Sequence, residues 1–359
     1  MKSKNKIKVI IAIPSLCAGG AERVMSFVAN ELDTNQFDTT LVNFGFQNDN
    51  AYEIEGVKVV YFNKPRVLSG IPQFFNFIRK NKPHIVLTAI GHLNTIGAYF
   101  SLFFWRTKFI IREVNVLSVL AQFHGKSNKL FSILAKRRFK MVHAVICQSQ
   151  DMKNDLIKSY NISDRNLVVI NNPITNNFRV KKRTSLNKKV HFITVARLVK
   201  QKGHERLFNA LAKLDFDFKY TIVGDGTEKE YLVRLAKKLR IFSKIEFVSF
   251  TKEVDIYLAK ADIYLQCSYV EGFPNALLES LMVGTPAIAF DAPGGINELI
   301  IQSANGYIAK NEKEYIDFIE LMIREGIPSA QNVSDSVHSR YNKEIIIDQY
   351  QALFKELVS

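Results

Sequence analysis

Apolar residues in this chain fall into short unbroken runs, and the intervals between them carry amphipathic, helix-period patterns. "KVIIAIPS", "DTTLVNFG", "KVVYFN", "HIVLTAI", "KFIIREV" and "AVICQS" read as strands of the first half. "GGAERVMSFVANEL", "IPQFFNFIRKNK" and "KLFSILAKRRFK" read as helices between them. Runs that stay apolar without alternating predict strands buried on both faces, as in a parallel sheet covered by helices. From Asn171 the text turns polar and aperiodic, "NNPITNNFRVKKRTSLNKK", which marks a linker. The alternation then restarts with "VHFITVAR", "KYTIVGDG", "KIEFVSF", "ADIYLQCS" and "PAIAF" as strands. "HERLFNALAKL" and "TEKEYLVRLAKKL" are helices among them. The pattern predicts two tandem doubly wound α/β domains, over residues 1–172 and 186–341. A last amphipathic helix, 342–359, is expected to cross back onto the first domain.

A length of 359 residues suits two domains of ordinary size. Three dispersed cysteines give neither a disulfide framework nor metal-ligand spacing, and fit a reducing compartment. No stretch reaches the roughly 18 apolar residues of a membrane span, so a cytoplasmic protein is expected. Charge changes the picture more. The net charge is +15, and residues 56–150 hold 15 Lys and Arg against one acid, Glu113. So uneven a field points to a polyanionic partner: nucleic acid, anionic lipid or a phosphorylated substrate.

Open α/β sheets bind ligands at the carboxyl ends of their strands, so the residues there are the candidates. The first strand empties into Gly19 and Gly20 before a helix, where free amides can meet an anion. The dinucleotide spacing GxGxxG is absent. In "VARLVKQKGHERL", Arg197 and Lys202 share one loop ahead of a helix, and two cations there suit a pyrophosphate. In "SYVEGFPNALLESLMVGTPAIAF", the loop after a strand carries Glu271, with Gly272 allowing a close backbone pass. Pro274 suits the first turn of the helix that follows, where its missing N–H costs nothing. Glu279 lies one turn past Asn275 on the same face of that helix. Set among "ALLES LMVG", its carboxylate needs strong donors, and a pair of sugar hydroxyls supplies them. "DAPGGINELI" repeats the device of glycines before a helix. "DFD" at Asp215–Asp217 precedes a strand, at the wrong edge for catalysis, and is assigned to the surface.

Glu271 and Glu279 form an E-x7-E pair. With "GGAERV", "VARLVKQKG" and "VGDGTEKEYL" in the same order, the chain resembles the retaining family-4 glycosyltransferases of the GT-B fold, most closely from Val190 to Leu299. The resemblance implies two Rossmann-like domains with a cleft between them. It implies a nucleotide-sugar donor, UDP-linked, from which a hexose or N-acetylhexosamine is transferred. Arg197 and Lys202 would hold the pyrophosphate, Glu279 the ribose hydroxyls, and Glu271 the donor sugar ring. The amides of Gly19, Gly20, Phe273, Pro274's neighbours Asn275 and Ala276, and Gly272's close pass would complete the phosphate site. No metal and no cofactor are expected, because cations take the leaving charge. Many relatives end the strand matching "FIIREVNV" with a His. This chain has Glu113 and Asn115 there, and His92 ends the preceding strand, so His92 and Glu113 are the acceptor-side candidates. The implied acceptor is a polyprenyl-pyrophosphate-linked saccharide, as in O-antigen or capsule assembly. With it comes peripheral attachment to the anionic inner face of the plasma membrane through Leu130, Phe131, Leu134 and the cations Lys129, Lys136, Arg137, Arg138 and Lys140. The alternatives are a nucleotide-sugar epimerase of the same fold and a basic nucleic-acid-binding protein. The first would turn over without an acceptor, and the second leaves the two glutamates unexplained.

Overall fold

A computed structural model describes residues 6–17, 19–51, 54–123, 136–176, 178–182, 186 and 188–359. The chain divides into two compact units. The first comprises residues 1–118, 124–175 and 343–359, and the second 119–123 and 176–342.

The first unit is built on a seven-stranded sheet in the order β3-β2-β1-β4-β5-β6-β7. Its strands are β1 (Ile7–Ile13), β2 (Phe37–Asn43), β3 (Lys58–Tyr61), β4 (Ile85–Ala89), β5 (Lys108–Arg112), β6 (Ala144–Cys147) and β7 (Leu167–Val169). All six neighbouring pairs are parallel. The continuous apolar runs of β1 and β4 are buried on both faces, which is why they do not alternate. On one face, β1 and β2 pack against the helix Gly20–Glu31 and against the last helix, Lys343–Val358. That last helix contributes Ile346, Ile347, Tyr350, Leu353 and Phe354, spaced as one stripe of a 3.6-residue period.

The second unit has a six-stranded parallel sheet in the order β10-β9-β8-β11-β12-β13. Its strands are β8 (Val190–Val195), β9 (Phe218–Val223), β10 (Ile245–Val248), β11 (Ile263–Gln266), β12 (Ala287–Phe290) and β13 (Gly306–Ala309). Both orders reverse direction once, between β1 and β4 and between β8 and β11. The reversal sets a crevice at the carboxyl edge of each sheet. The two-sheet, doubly wound architecture read from the sequence is the one observed. The edge strands β7 and β13 were not among the expected strands, being three and four residues long. Pro274 caps the helix Asn275–Val283 from outside instead of forming its first turn.

Candidate functional site

In the second unit the carboxyl ends of β8 and β11 meet. After β8 the backbone passes Arg197, makes a turn over Lys200–Lys202 and reaches Gly203, which caps the helix His204–Leu211. Gly203 has φ +66, and a Cβ there would lie 2.0 Å from the carbonyl oxygen of Cys267. Only glycine lets this turn press against the end of β11. That approach brings Lys202 to Glu271, with Nζ 2.6 Å from Oε1.

Glu271 is buried, and Lys202 is not its only partner. Gln266 donates from Nε2 to the same oxygen at 3.0 Å, and Ser268 donates from Oγ at 2.5 Å. Tyr264 orients Gln266 by donating to its Oε1 at 3.1 Å. Three donors therefore converge on Oε1, leaving Oε2 as the oxygen they do not engage. The backbone of this loop is fixed as well. The Glu271 amide donates to Pro293 at 3.0 Å, and Gly294, at φ +120, sits where a Cβ would meet the Glu271 carbonyl at 2.1 Å.

Two residues that sequence reasoning missed hold the site in shape. Arg206 donates from Nε to Cys267 at 2.8 Å and from Nη2 to the carbonyl of Ser268. Its guanidinium lies between the rings of Tyr269 and Phe290, at 4.1 and 4.2 Å from their centroids. Burial lowers its pKa from the ordinary value. His204 is buried and its Nε2 lies 3.2 Å from the Arg197 carbonyl. Burial pushes its pKa down to about 4, so it is a neutral imidazole at pH 7, with Nε2–H donating. Gln266 and Ser268 were legible in principle. Polar side chains two apart in a buried strand share one face, where an apolar residue is the rule. Arg206 had no such signal, because the rings that sandwich it come from distant segments.

Glu279 is buried midway along Asn275–Val283, whose residues from Leu277 onward are all buried. At the start of that helix, the Pro274 carbonyl accepts from Leu278 at 3.1 Å, so the amides of half-buried Asn275 and Ala276 lie in the first turn, ahead of that intrahelical bond. Phe273 packs its ring on Tyr341, 5.4 Å away. A cavity of about 500 Å³ borders the 200–203 turn, lined by Lys200, Gly203, Glu205, Tyr231 and Tyr269 among others. It includes none of Lys202, Glu271 and Glu279, so the polar network, not the cavity, defines the site. Asp217 lies ahead of β9, at the amino edge of the sheet, paired with Lys189 at 2.8 Å. Among the described residues no group of three His, Cys, Asp or Glu is placed to hold a metal ion.

The remaining candidates belong to the first unit. Gly19 and Gly20 stand at the carboxyl edge of β1, where Gly19 caps the helix Gly20–Glu31. His92 is exposed in the first turn of the helix Gly91–Phe100. Just before it, Ile90 has φ +76, the one β-branched residue with positive φ among those described. Such strain persists only where the surroundings impose it, and it collects at functional loops.

Two expectations are corrected here. Glu113 is 2% exposed, and its Oε1 accepts from Arg138 Nη2 at 2.9 Å, Arg138 Nε at 3.2 Å and Asn94 Nδ2 at 3.1 Å. It is the buried anchor of an ion pair and not an acceptor-facing group. For the same reason Arg138 is not a membrane-facing cation, since it is buried with Glu113. Leu130, Phe131, Leu134 and Lys129 of the expected membrane helix lie outside the described residues. No described helix is long and apolar enough to cross a membrane.

Comparison with known proteins gives these folds a context. Residues 175–336 match the family model "Glycosyl transferases group 1", and residues 18–177 match "Glycosyltransferase Family 4". An uncharacterized glycosyltransferase of Haemophilus influenzae is 25% identical over 94% of this chain and 96% of its own. A Campylobacter jejuni protein named N-acetylgalactosamine-N,N'-diacetylbacillosaminyl-diphospho-undecaprenol 4-alpha-N-acetylgalactosaminyltransferase is 26% identical, over 89% of this chain and 90% of its own. Among solved structures, Anabaena HepE in complex with UDP superposes with a TM-score of 0.78 at 19% identity. The match covers 98% of this chain and 100% of that one.

Proposed function

We propose that this chain, a glycosyltransferase of the GT-B fold with a family 4 amino-terminal half and a group 1 carboxyl-terminal half, moves a hexose or N-acetylhexosamine, with retention, from a UDP-sugar to a saccharide carried on a polyprenyl diphosphate, in bacterial surface-glycan assembly. The observation that carries this reading is the Lys202–Glu271 pair. A cation suited to a diphosphate and a carboxylate suited to sugar hydroxyls lie 2.6 Å apart. The atom joining diphosphate to sugar, the anomeric carbon, belongs beside such a junction. The Campylobacter relative, whose name specifies a diphospho-undecaprenol saccharide, supports the acceptor class. The UDP bound by HepE supports the donor class.

In this reading the acceptor hydroxyl attacks the anomeric carbon on the face from which the diphosphate leaves. The bond from that carbon to the diphosphate oxygen breaks as the new glycosidic bond forms, and the acceptor's proton passes to the departing oxygen. Lys202 and Arg197 neutralise the leaving charge without a metal. Glu271, with three donors on one oxygen, is a hydrogen-bond acceptor for the sugar and a poor nucleophile. Glu279 takes the ribose hydroxyls. His92, beside the strained Ile90, faces the acceptor in the first unit's loop.

Calorimetric titration against UDP-, GDP- and ADP-sugars tests the donor. Binding confined to UDP-sugars is expected. Equal affinity for all three, or none, rejects the assignment. Sugar transfer to a synthetic polyprenyl-diphosphate saccharide, analysed for the anomeric configuration of the product, tests the rest.

A further inference from the structure

Between the helix Gly91–Phe100 and β5, the chain crosses the amino edge of the first sheet with the sequence Ser-Leu-Phe-Phe-Trp-Arg-Thr. Three of these side chains stand out from the protein: Leu102 at 66%, Phe103 at 66% and Trp105 at 76% exposure. Large apolar groups bunched in four residues are an expensive surface unless something covers them. The segment is not loose. Phe103 and Phe104 pack on Phe75, with ring centroids 5.8 and 4.8 Å apart, and Ser101 donates to the Met141 carbonyl at 2.7 Å. Thr107 donates to the Pro83 carbonyl at 2.8 Å.

Those same contacts gather cations around the tip. Arg106 stacks on Trp105, 4.6 Å from the ring centroid. Pro83 brings Lys82, and Met141 brings Lys140, the residues immediately before them. Arg79 lies one turn beyond Phe75 on the helix Ile71–Asn81, and Lys108 opens β5. The one acid between Gly56 and Gln150 is Glu113, buried with Arg138. Other acids of this sheet edge, Asp33 ahead of β2 and Asp164 ahead of β7, lie beyond the strands β1 and β6 that flank the patch.

We propose that this tip is where the protein docks on an anionic lipid surface, with Leu102, Phe103 and Trp105 entering the headgroup region and Arg79, Lys82, Arg106, Lys108 and Lys140 lying against lipid phosphates. Charge complementarity selects the occupant. A protein partner of opposite charge would satisfy the cations but leave no reason for an apolar tip inside the ring, whereas a bilayer surface takes both. Docking here leaves the ligand edge of the first sheet facing away from the bilayer by a strand's length, about 13–23 Å for strands of 4–7 residues. Resting on the function proposed above, that height fits a lipid already carrying sugars better than a bare lipid phosphate.

Trp105 is the chain's single tryptophan, so the native protein reports on its own docking. With vesicles containing phosphatidylglycerol, its emission should shift to the blue, resist iodide and be quenched by lipids brominated on the acyl chains. Vesicles of phosphatidylcholine alone should have a much smaller effect. Leu102→Ser with Trp105→Ser should abolish sedimentation with vesicles while leaving the melting curve unchanged. Replacing Lys82, Arg106 and Lys140 by Gln should weaken binding about fivefold each and about 100-fold together. The proposal is overturned if Trp105 stays open to iodide while the protein sediments, since another face then docks. It is also overturned if the blue shift grows with protein concentration in the absence of vesicles, which indicates a second copy of the chain. Neither donor nor acceptor enters the assay, so its outcome is independent of the transferase reading.

Discussion

Lys202 and Glu271, both proposed to meet the nucleotide sugar, neutralise each other in this structure. A donor that engages both must part them, exchanging one ion pair for two charge-assisted contacts. Lys202→Ala removes the charge proposed to face the leaving group and should lower the transfer rate about 30- to 1000-fold, a barrier increase of about 2–4 kcal/mol. Turnover within threefold of the native rate removes Lys202 from the site. Glu271→Gln should impair transfer while leaving UDP affinity near native, whereas Glu279→Gln should weaken UDP itself. Calorimetry that finds UDP affinity intact in the Glu279 variant ends that division of roles. His204 gives the site a pH dependence. Its folded pKa lies near 4, below its ordinary 6.5. As pH falls through 6.5 the unfolded chain binds a proton that the folded chain refuses. The stability present above 6.5 is thus lost progressively down to about 4, by on the order of 3 kcal/mol. Urea denaturation of the native protein and of His204→Asn, compared at pH 7 and 4.5, should show a smaller acid loss in the variant. Equal losses would mean that another group sets the acid sensitivity.

Among the elements, the last helix has the clearest structural task. It returns from the second unit's end to cover β1 and β2, and one buried contact fixes it. Arg112, fully buried at the end of β5, donates from Nε to the Tyr350 hydroxyl at 3.1 Å and from Nη2 to Asn172. A guanidinium without water depends on every acceptor it has. Tyr350→Phe keeps the ring's packing but strips an acceptor from the cation, and should cost about 1–3 kcal/mol in chemical denaturation. No measurable loss would show that the helix is held by its apolar stripe alone.

At the scale of the molecule, two sheets carry different chemistry. The predicted phosphate and sugar ligands Arg197, Lys202, Glu271 and Glu279 all belong to the second unit, and the basic surface belongs to the first. A donor bound by the second unit alone should stabilise that unit, by about 2.7 kcal/mol at a concentration 100 times its dissociation constant. For a unit of this size that raises its melting point by about 5–10 °C. Scanning calorimetry with and without UDP should therefore show one transition rising and one staying. If both rise together, the first unit also contributes to the donor site.

The sequence alone determined the number of sheets, their parallel sense and most of their strands, because a strand buried on both faces must be apolar throughout and a covering helix must be amphipathic. It also placed Arg197, Lys202 and Glu271 in loops past strand ends and Glu279 on the helix that follows, since motifs at a sheet's carboxyl edge are local in the chain. Tertiary structure decided what no local pattern encodes. Glu113 reads as an acceptor-side group and Arg138, 25 residues away, as a membrane-facing cation, yet they bury each other. Arg206 lies on a helix, but Tyr269 from a loop and Phe290 from the end of β12 close over it. Lys202 and Glu271 are 69 residues apart, and only the close pass at Gly203 brings them to 2.6 Å. In each case the deciding quantity is burial by residues distant in sequence, which a pattern read along one segment does not contain.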